Sequence, residues 1–355
     1  MHLQKARSQD VDSPDGRLGQ SRPTGDSVDA QPDALVSVEP AQLAVSLLDS
    51  VGLPSSPLDV ADGWSNRVWL APAHVVRLSS GRFRDSLAHE ARVLRLLPAE
   101  VPHARVIAHG RLGRQEWLVL ERVPGITLAA AWSALDQRER ALATRQLGEI
   151  LHALHQVSVP AGLQNPWLED ALAAGGPRRD AYHAPPDRYR DLVAAAEAVP
   201  GTDRGVLREV GAFIAERLDA FGPEPLVLVH ADAHFGNVLW DSGRISALLD
   251  FEGARLAPRD LELDTLLRFA REPELFDWPS VPVSLRRGDL AGFVEGLADA
   301  YPALFSHPRL DARLGVYEAV WQLVQLLHFP PGSASPDPWG HLLALLEAGD
   351  HWSWR

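Results

Sequence analysis

The chain is expected to fold as an α+β unit of two lobes, a small antiparallel sheet carrying one helix followed by a larger, mostly helical part. Three observations predict this. Short β-rich runs cluster between residues 58 and 121 and are interrupted by one amphipathic segment. Helical periodicity dominates after Pro124-Gly125. One stretch of the second part, V-L-V-H-A-D-A-H-F-G-N-V-L-W followed by I-S-A-L-L-D-F-E, sets short strands around polar loops rich in chemistry-bearing residues.

The first 40 residues are rich in Asp, Ser, Gly, Gln and Pro without hydrophobic period, and they read as a disordered tail. A helix starts at Glu39-Pro40, with Leu43, Val45, Leu47 and Leu48 as apolar positions, and stops near Gly52. Arg67 to Leu70 and His74 to Leu78 flank Ala71-Pro72-Ala73 as a hairpin. Arg84 to Leu97 is helical, with Leu87, Ala91, Leu94 and Leu97 on one face and Glu90 on another. Val106 to Gly110 and Trp117 to Leu120 complete the sheet. The lobe boundary is placed at residues 123–124, so that 41–123 form the first lobe and 124–355 the second. Helices are expected over Arg138 to Val157, Tyr189 to Ala198, Val206 to Phe221, Leu261 to Phe269, Leu290 to Ala300, Arg313 to Leu327 and His341 to Leu346. Between them Leu226 to Val229, Val238 to Trp240 and Ile245 to Leu249 read as strands.

Bulk properties narrow the classes of function. The 355 residues are 46% hydrophobic, sufficient for a substantial core. A net charge of -13 without a long basic block argues against a nucleic-acid binder. The absence of cysteine excludes disulfides, thiolate metal sites and thiol nucleophiles. No apolar run approaches the roughly 20 residues that span a bilayer, and the N-terminus lacks the apolar stretch of a secretory signal. No membrane association and a cytoplasmic location are therefore expected. The sequence leaves the oligomeric state open.

The chemistry concentrates in the long motif. His230, Asp232 and Asn237 have the spacing H-x-D-x-x-x-x-N, and Asp250 follows thirteen positions after Asn237. Phosphoryl transfer needs a carboxylate to orient a hydroxyl and take its proton, and oxygen ligands to hold Mg²⁺ against phosphates. Asp232 suits the first role, Asn237 and Asp250 the second, and His230 suits bracing the loop. A rival reading is metal hydrolysis. On an extended strand His230, Asp232 and His234 would share one face, and such ligands suit Zn²⁺. That reading leaves Asn237, Asp250 and the upstream lobe without a role.

The segment V-H-A-D-A-H-F-G-N-V-L-W with L-L-D-F-E resembles the aminoglycoside phosphotransferase family, a branch of the protein-kinase-like fold. Ala231 stands where the family usually has Gly. The resemblance runs from about residue 43 onward and implies a Mg²⁺-dependent transfer of the γ-phosphate of ATP or GTP to a small-molecule hydroxyl. It implies Asp232 as catalytic base, His230 as loop support, and Asn237 and Asp250 as Mg²⁺ ligands. Glu252, close to Asp250, is placed at the metal or the substrate, or in a salt bridge. G-W-S-N-R-V-W-L resembles the nucleotide-covering loop, with Gly63, Ser65 and Asn66 against phosphate. V-V-R-L resembles the third strand, with Arg77 where kinases carry Lys, and H-E-A-R-V-L-R-L-L supplies Glu90 as its partner. L-V-L-E-R-V-P-G matches the hinge, where backbone groups of Glu121, Arg122 and Val123 would meet adenine. L-G-E-I-L-H-A-L-H resembles the long helix before the catalytic loop, with His152 and His155 as packing residues. In A-P-R-D-L-E-L-D-T-L-L, Asp260 and Asp264 compete to anchor the catalytic loop, and Asp260 is also a natural helix N-cap. The acceptor is left as an aminoglycoside, a macrolide or another metabolite. Glu262, Glu272, Glu274, Asp277 and Glu318 are candidates to meet a polycation, and Trp278, Trp321 and Trp339 to line a more apolar pocket. A catalytically silent nucleotide-binding protein is the third alternative.

Overall fold

The computed structural model describes residues 39–62, 66–80, 85–113, 115–160, 163, 186–276, 285–333, 337–351 and 353. The expected tail lies outside the described residues up to Val38. Helix α1 (Pro40–Ser50) begins with proline at its first position, where the missing N–H costs nothing. It lays Ala44, Leu47 and Leu48 on a sheet face formed by Trp69, Val76, Leu78 and Val119.

The sheet has five antiparallel strands in the order β1-β2-β3-β5-β4: β1 (Asp59–Asp62), β2 (Asn66–Leu70), β3 (His74–Ser79), β4 (Val106–Leu112) and β5 (Gln115–Glu121). Strand β1 was not anticipated by the hairpin reading, because D-V-A-D has little strand propensity. It exists as an edge paired to β2, and acidic residues suit an edge that must not recruit another strand. Helix α2 (Ser86–Leu94) buries Leu87, Ala91 and Leu94 as its periodicity predicts. It also buries His89 and Glu90, since the turn Phe251–Gly253 of the second lobe covers its other side. The His89 Nε2 lies 2.7 Å from the Ala254 carbonyl oxygen.

Past the sheet, Gly125 sits at φ +127°, and a Cβ there would stand 2.8 Å from the Trp240 carbonyl oxygen. Only glycine fits this crossing. Strand β6 (Ile126–Thr127) and α3 (Leu128–Trp132) follow, and Thr127 caps α3 through the Ala130 N–H. Helix α4 (Gln137–Leu154) opens with a reciprocal capping box between Asp136 and Glu139. Helices α5 (Tyr189–Ala196) and α6 (Arg204–Ala215) come next. The motif region supplies β7 (Val227–Val229), β8 (Val238–Asp241), β9 (Arg244–Leu248) and β10 (Arg255–Ala257), paired as β6-β8-β9 and β10-β7. Strands β6 and β10 are too short to register in the sequence. Helices α7 (Glu262–Arg271), α8 (Phe293–Ala300), α9 (Leu310–Leu326) and α10 (Pro338–Ala348) close the described fold.

Helix α9 is buried along most of its length, and its Arg313 is fully enclosed. That guanidinium meets the Asp260 carboxylate through Nε at 2.5 Å and Nη2 at 2.8 Å, and Nη1 reaches the Ala220 carbonyl and the Glu224 carboxylate. Asp260 therefore does not cap a helix, as the sequence suggested; α7 has no side-chain cap and Asp260 serves α9. Removing one partner of a buried pair strands the other charge, at a cost of about 3–5 kcal/mol. Asp260→Ala should lower unfolding stability by about 3 kcal/mol in urea titration, with a larger loss than Asp311→Ala on the same helix.

Candidate active site

Strand β7 ends at Val229, and Ala231 stands at φ +67°, in the left-handed region. This breaks strand alternation: His234 Nε2 lies 3.8 Å from Asp232 Oδ2, whereas the His230 ring turns away to the Leu249 carbonyl. His230 is fully buried; its Nε2 lies 2.8 Å from the Leu249 carbonyl oxygen, and its Nδ1 accepts the Asp232 N–H at 3.2 Å. Burial lowers its pKa, which keeps the ring neutral and fits one nitrogen donating while the other accepts. His234 accepts the Gly236 N–H on Nδ1 at 3.1 Å and packs its ring against Phe276 and Phe269. The His230/Asp232/His234 zinc site is thus corrected: both imidazoles brace the loop. Among the described residues, the acids and histidines close enough to share a metal are Glu90, Asp250 and Glu252.

The loop is anchored by a residue to which the sequence reading gave another role. Glu262, at the first position of α7, accepts the His230 N–H on Oε2 at 2.8 Å and the Ala231 N–H on Oε1 at 3.1 Å. Thr265 Oγ1 donates to the Ala231 carbonyl at 3.0 Å. Behind Glu262 stands His155, with Nε2 at 3.4 Å and Nδ1 at 2.8 Å from the Tyr301 hydroxyl. Burial opposes ionisation of Glu262, but His155, His230 and the hydrogen bonds outweigh it and hold the carboxyl below its usual range. Asp260 and Asp264, the two expected anchors, are taken by Arg313 and by Arg268 at 2.7 Å. The legible signal was an acid at a helix start, two positions from either candidate.

With the loop fixed, Asn237 Nδ2 donates to the Asp232 carbonyl at 2.9 Å and to Asp232 Oδ2 at 3.0 Å. Burial, then the neighbouring Asp250 carboxylate, pushes the Asp232 carboxyl well above the usual aspartate range. Asp250 itself sits at φ +65°. From the sheet, Arg77 reaches it: Nη2 lies 3.1 Å from Asp250 Oδ1. Arg77 Nη1 binds both Glu90 oxygens, at 2.7 and 2.6 Å, so the expected Arg77–Glu90 pair is present. Nη2 also donates to Glu252, and Glu252 accepts from Asn66 Nδ2. One guanidinium thus faces three carboxylates. Burial raises Glu90 to about 7 and Glu252 to about 8. Burial also opposes ionisation of Asp250, but Arg77 outweighs it and keeps that carboxyl below its usual range.

The remaining expected residues are placed less uniformly. Gly63 and Ser65 lie outside the described residues. Asn66 turns its amide to Glu252. In the hinge, the Glu121 N–H donates to the Arg105 carbonyl and the Arg122 N–H to the Ala73 carbonyl, both at 2.9 Å, so neither amide is available for a base. The Val123 N–H makes no hydrogen bond among the described residues. Of the acids suggested for a polycation, Glu262 holds the loop. Glu318 receives Arg268, Arg271 and Gln322, and Glu272 receives Arg271. Asp277 and Trp278 lie outside the described residues. Trp321 stacks on the Arg268 guanidinium at 4.3 Å, and Trp339 packs on the α5–α6–α9 core.

A small antiparallel sheet with one inward-facing helix, set over a helical lobe that carries the loop, is the two-lobed protein-kinase-like α+β arrangement. The sequence model of the phosphotransferase enzyme family matches residues 58–312. The chain belongs to that family. It is 28% identical over 180 residues to a glucosamine kinase of Streptacidiphilus jiangxiensis, covering 47% of this chain and 37% of that protein. It is 30% identical over 181 residues to an aminoglycoside 3'-phosphotransferase of Streptomyces fradiae, covering 50% of this chain and 61% of that one. The matches thus span less than two thirds of either relative. A solved aminoglycoside phosphotransferase, APH(4)-Ia with ADP and hygromycin B, superposes with a TM-score of 0.53 at 21% identity, over 87% of this chain and 99% of that one.

The pKa of His234 is lowered from 6.5 to about 4, by burial and then by His230. Between those values the unfolded chain binds the proton and the folded one does not. His234 therefore leaves stability intact above pH 6.5 and erodes it as pH falls toward 4, by up to about 3 kcal/mol. Urea titrations at pH 7 and 4.5 should show a smaller acid-dependent loss in His234→Gln than in the wild type; equal losses would contradict the burial argument.

Proposed function

We propose that the protein is a Mg²⁺-dependent kinase that transfers the γ-phosphate of ATP or GTP to a hydroxyl of a small molecule. One observation carries this reading: Arg77 of the sheet bonds to Asp250 beside Asp232 and Asn237, so a phosphate-binding cation and a base with oxygen ligands converge on one place. Family membership supports it. So do the kinase and phosphotransferase relatives and the ADP complex of a protein with the same fold.

Asp232 is the catalytic base. Asn237 fixes one of its oxygens, while Oδ1, which makes no hydrogen bond among the described residues, orients the acceptor hydroxyl and takes its proton. A carboxylate whose pKa is raised is the better acceptor of that proton. The metal donors fit Mg²⁺: Asp250 offers a carboxylate with its side chain 34% exposed, and Asn237 commits its NH₂ to Asp232, which leaves an amide oxygen. Such all-oxygen donors suit a hard cation, which when bound neutralises phosphate charge. Arg77, held by Glu90, draws on the phosphates. Residues 41–123 act as the nucleotide lobe, with Val123 at the adenine and Gly63, Ser65 and Asn66 meeting the phosphates. Residues 124–355 carry the base and the acceptor site. The acceptor is a small-molecule alcohol. Glu262, Glu272 and Glu318 contribute little to its recognition as a polycation, because protein donors already occupy them. The cytoplasm, where nucleotide triphosphates are abundant, is the natural setting.

Asp232→Ala should lower kcat by on the order of 10²–10⁴-fold while Mg·nucleotide still binds in calorimetry. Asp250→Ala should bind nucleotide equally with and without Mg²⁺. Full turnover in Asp232→Ala would overturn the assignment of the base.

A further inference from the structure

The third strand carries an arginine where a kinase carries lysine, and an arginine has two ends to hold. Glu90 places both its oxygens on Nη1 and leaves Nη2 to others. Nη2 turns to Glu252 and, at 3.1 Å, to Asp250. These two acids differ in setting: the Asp250 side chain is 34% exposed, that of Glu252 only 9%. Glu252 also receives Nδ2 of Asn66, the first residue of β2. Its Oε1 thus accepts from two protein donors on adjacent strands. Arg77 Nε is buried and makes no hydrogen bond.

We propose that Glu252 is a positioning residue that holds the second arm of Arg77, fixing the guanidinium plane for the nucleotide phosphates, and that it is not a metal ligand. A bidentate cation needs both ends anchored to present a defined edge, whereas a lysine ammonium is a point charge that one glutamate can hold. Arg77 and Asn66 both donate to Oε1 of Glu252, so a metal ion on that oxygen would have to displace both. Glu252 is therefore the counterpart that an arginine at position 77 requires. This inference rests on the phosphotransfer reading of the site, which assigns Arg77 to phosphate.

The test is a double-mutant cycle read in binding. Mg·ATP and Mg·GTP affinities are measured by calorimetry for the wild type, Glu252→Gln, Arg77→Lys and the double variant. For each, Mn²⁺ affinity of the nucleotide-saturated protein is also measured. Glu252→Gln should weaken nucleotide binding about tenfold, the range of one charge-assisted hydrogen bond, with Mn²⁺ affinity within about twofold of wild type. In the Arg77→Lys background the same change should add less than about twofold, since coupled partners are not additive. If Glu252→Gln does not fold, Glu252→Asp carries the cycle, because it keeps the carboxyl and withdraws it by one methylene. Equal losses in both backgrounds, or a tenfold weaker Mn²⁺ site in Glu252→Gln, would overturn the proposal while leaving phosphotransfer intact. A wild-type protein that binds neither nucleotide would overturn the phosphotransfer reading and the proposal with it.

Discussion

The candidate site depends on one buried carboxylate. Glu262 accepts the N–H groups of His230 and Ala231, two consecutive amides that the left-handed Ala231 turns toward the same acid. A residue with a Cβ at φ +67° costs roughly 1–2 kcal/mol relative to the right-handed region. It persists because Glu262 and Thr265 determine both its amide and its carbonyl. If Glu262 released those amides, the chain would have no reason to turn at Ala231 and Asp232 would lose its position. Helix α7 owes its place to the same contact, and His155 carries the constraint on to α4.

The second constraint is the balance of charge around Arg77. Three carboxylates around one largely buried guanidinium are a costly group unless each is hydrogen-bonded. The strands and α2 of the sheet lobe supply Asn66, Arg77 and Glu90, whereas the segment after β9 supplies Asp250 and Glu252. The excess negative charge suits a place where a divalent cation and a nucleotide arrive together. It also explains why Glu90 is buried on a helix face that its periodicity marks as polar.

Much of this was legible in the residues. Strongly periodic segments such as α4, and hydrophobic runs such as β3 and β5, declare themselves because local composition and burial agree. The pairing of Arg77 with Glu90 followed from the resemblance and is present as an ion pair. What escaped detection depends on tertiary partners. Strand β1 has acidic residues and becomes a strand only beside β2. Glu262 looks like any acid at a helix start until its two amides are in place. The alternation of His230, Asp232 and His234 suggested a metal face, and the chain turns at Ala231 with the His230 ring on the Leu249 carbonyl instead. Acids that composition offered for a cationic acceptor, such as Glu318, prove to be matched by Arg268 and Arg271, which no spacing in sequence connects to it.

On the proposed phosphotransfer reading, the site specifies how phosphate moves more closely than to what. The most direct measurement is ³¹P NMR of the purified protein incubated with Mg·ATP or Mg·GTP and a panel of amino sugars, aminoglycosides, macrolides and simple alcohols. The account predicts a new phosphomonoester resonance that grows with at least one acceptor as the γ-phosphate signal declines. No ester with any acceptor, in a protein that retains stoichiometric zinc and leaves the nucleotide intact, would contradict it.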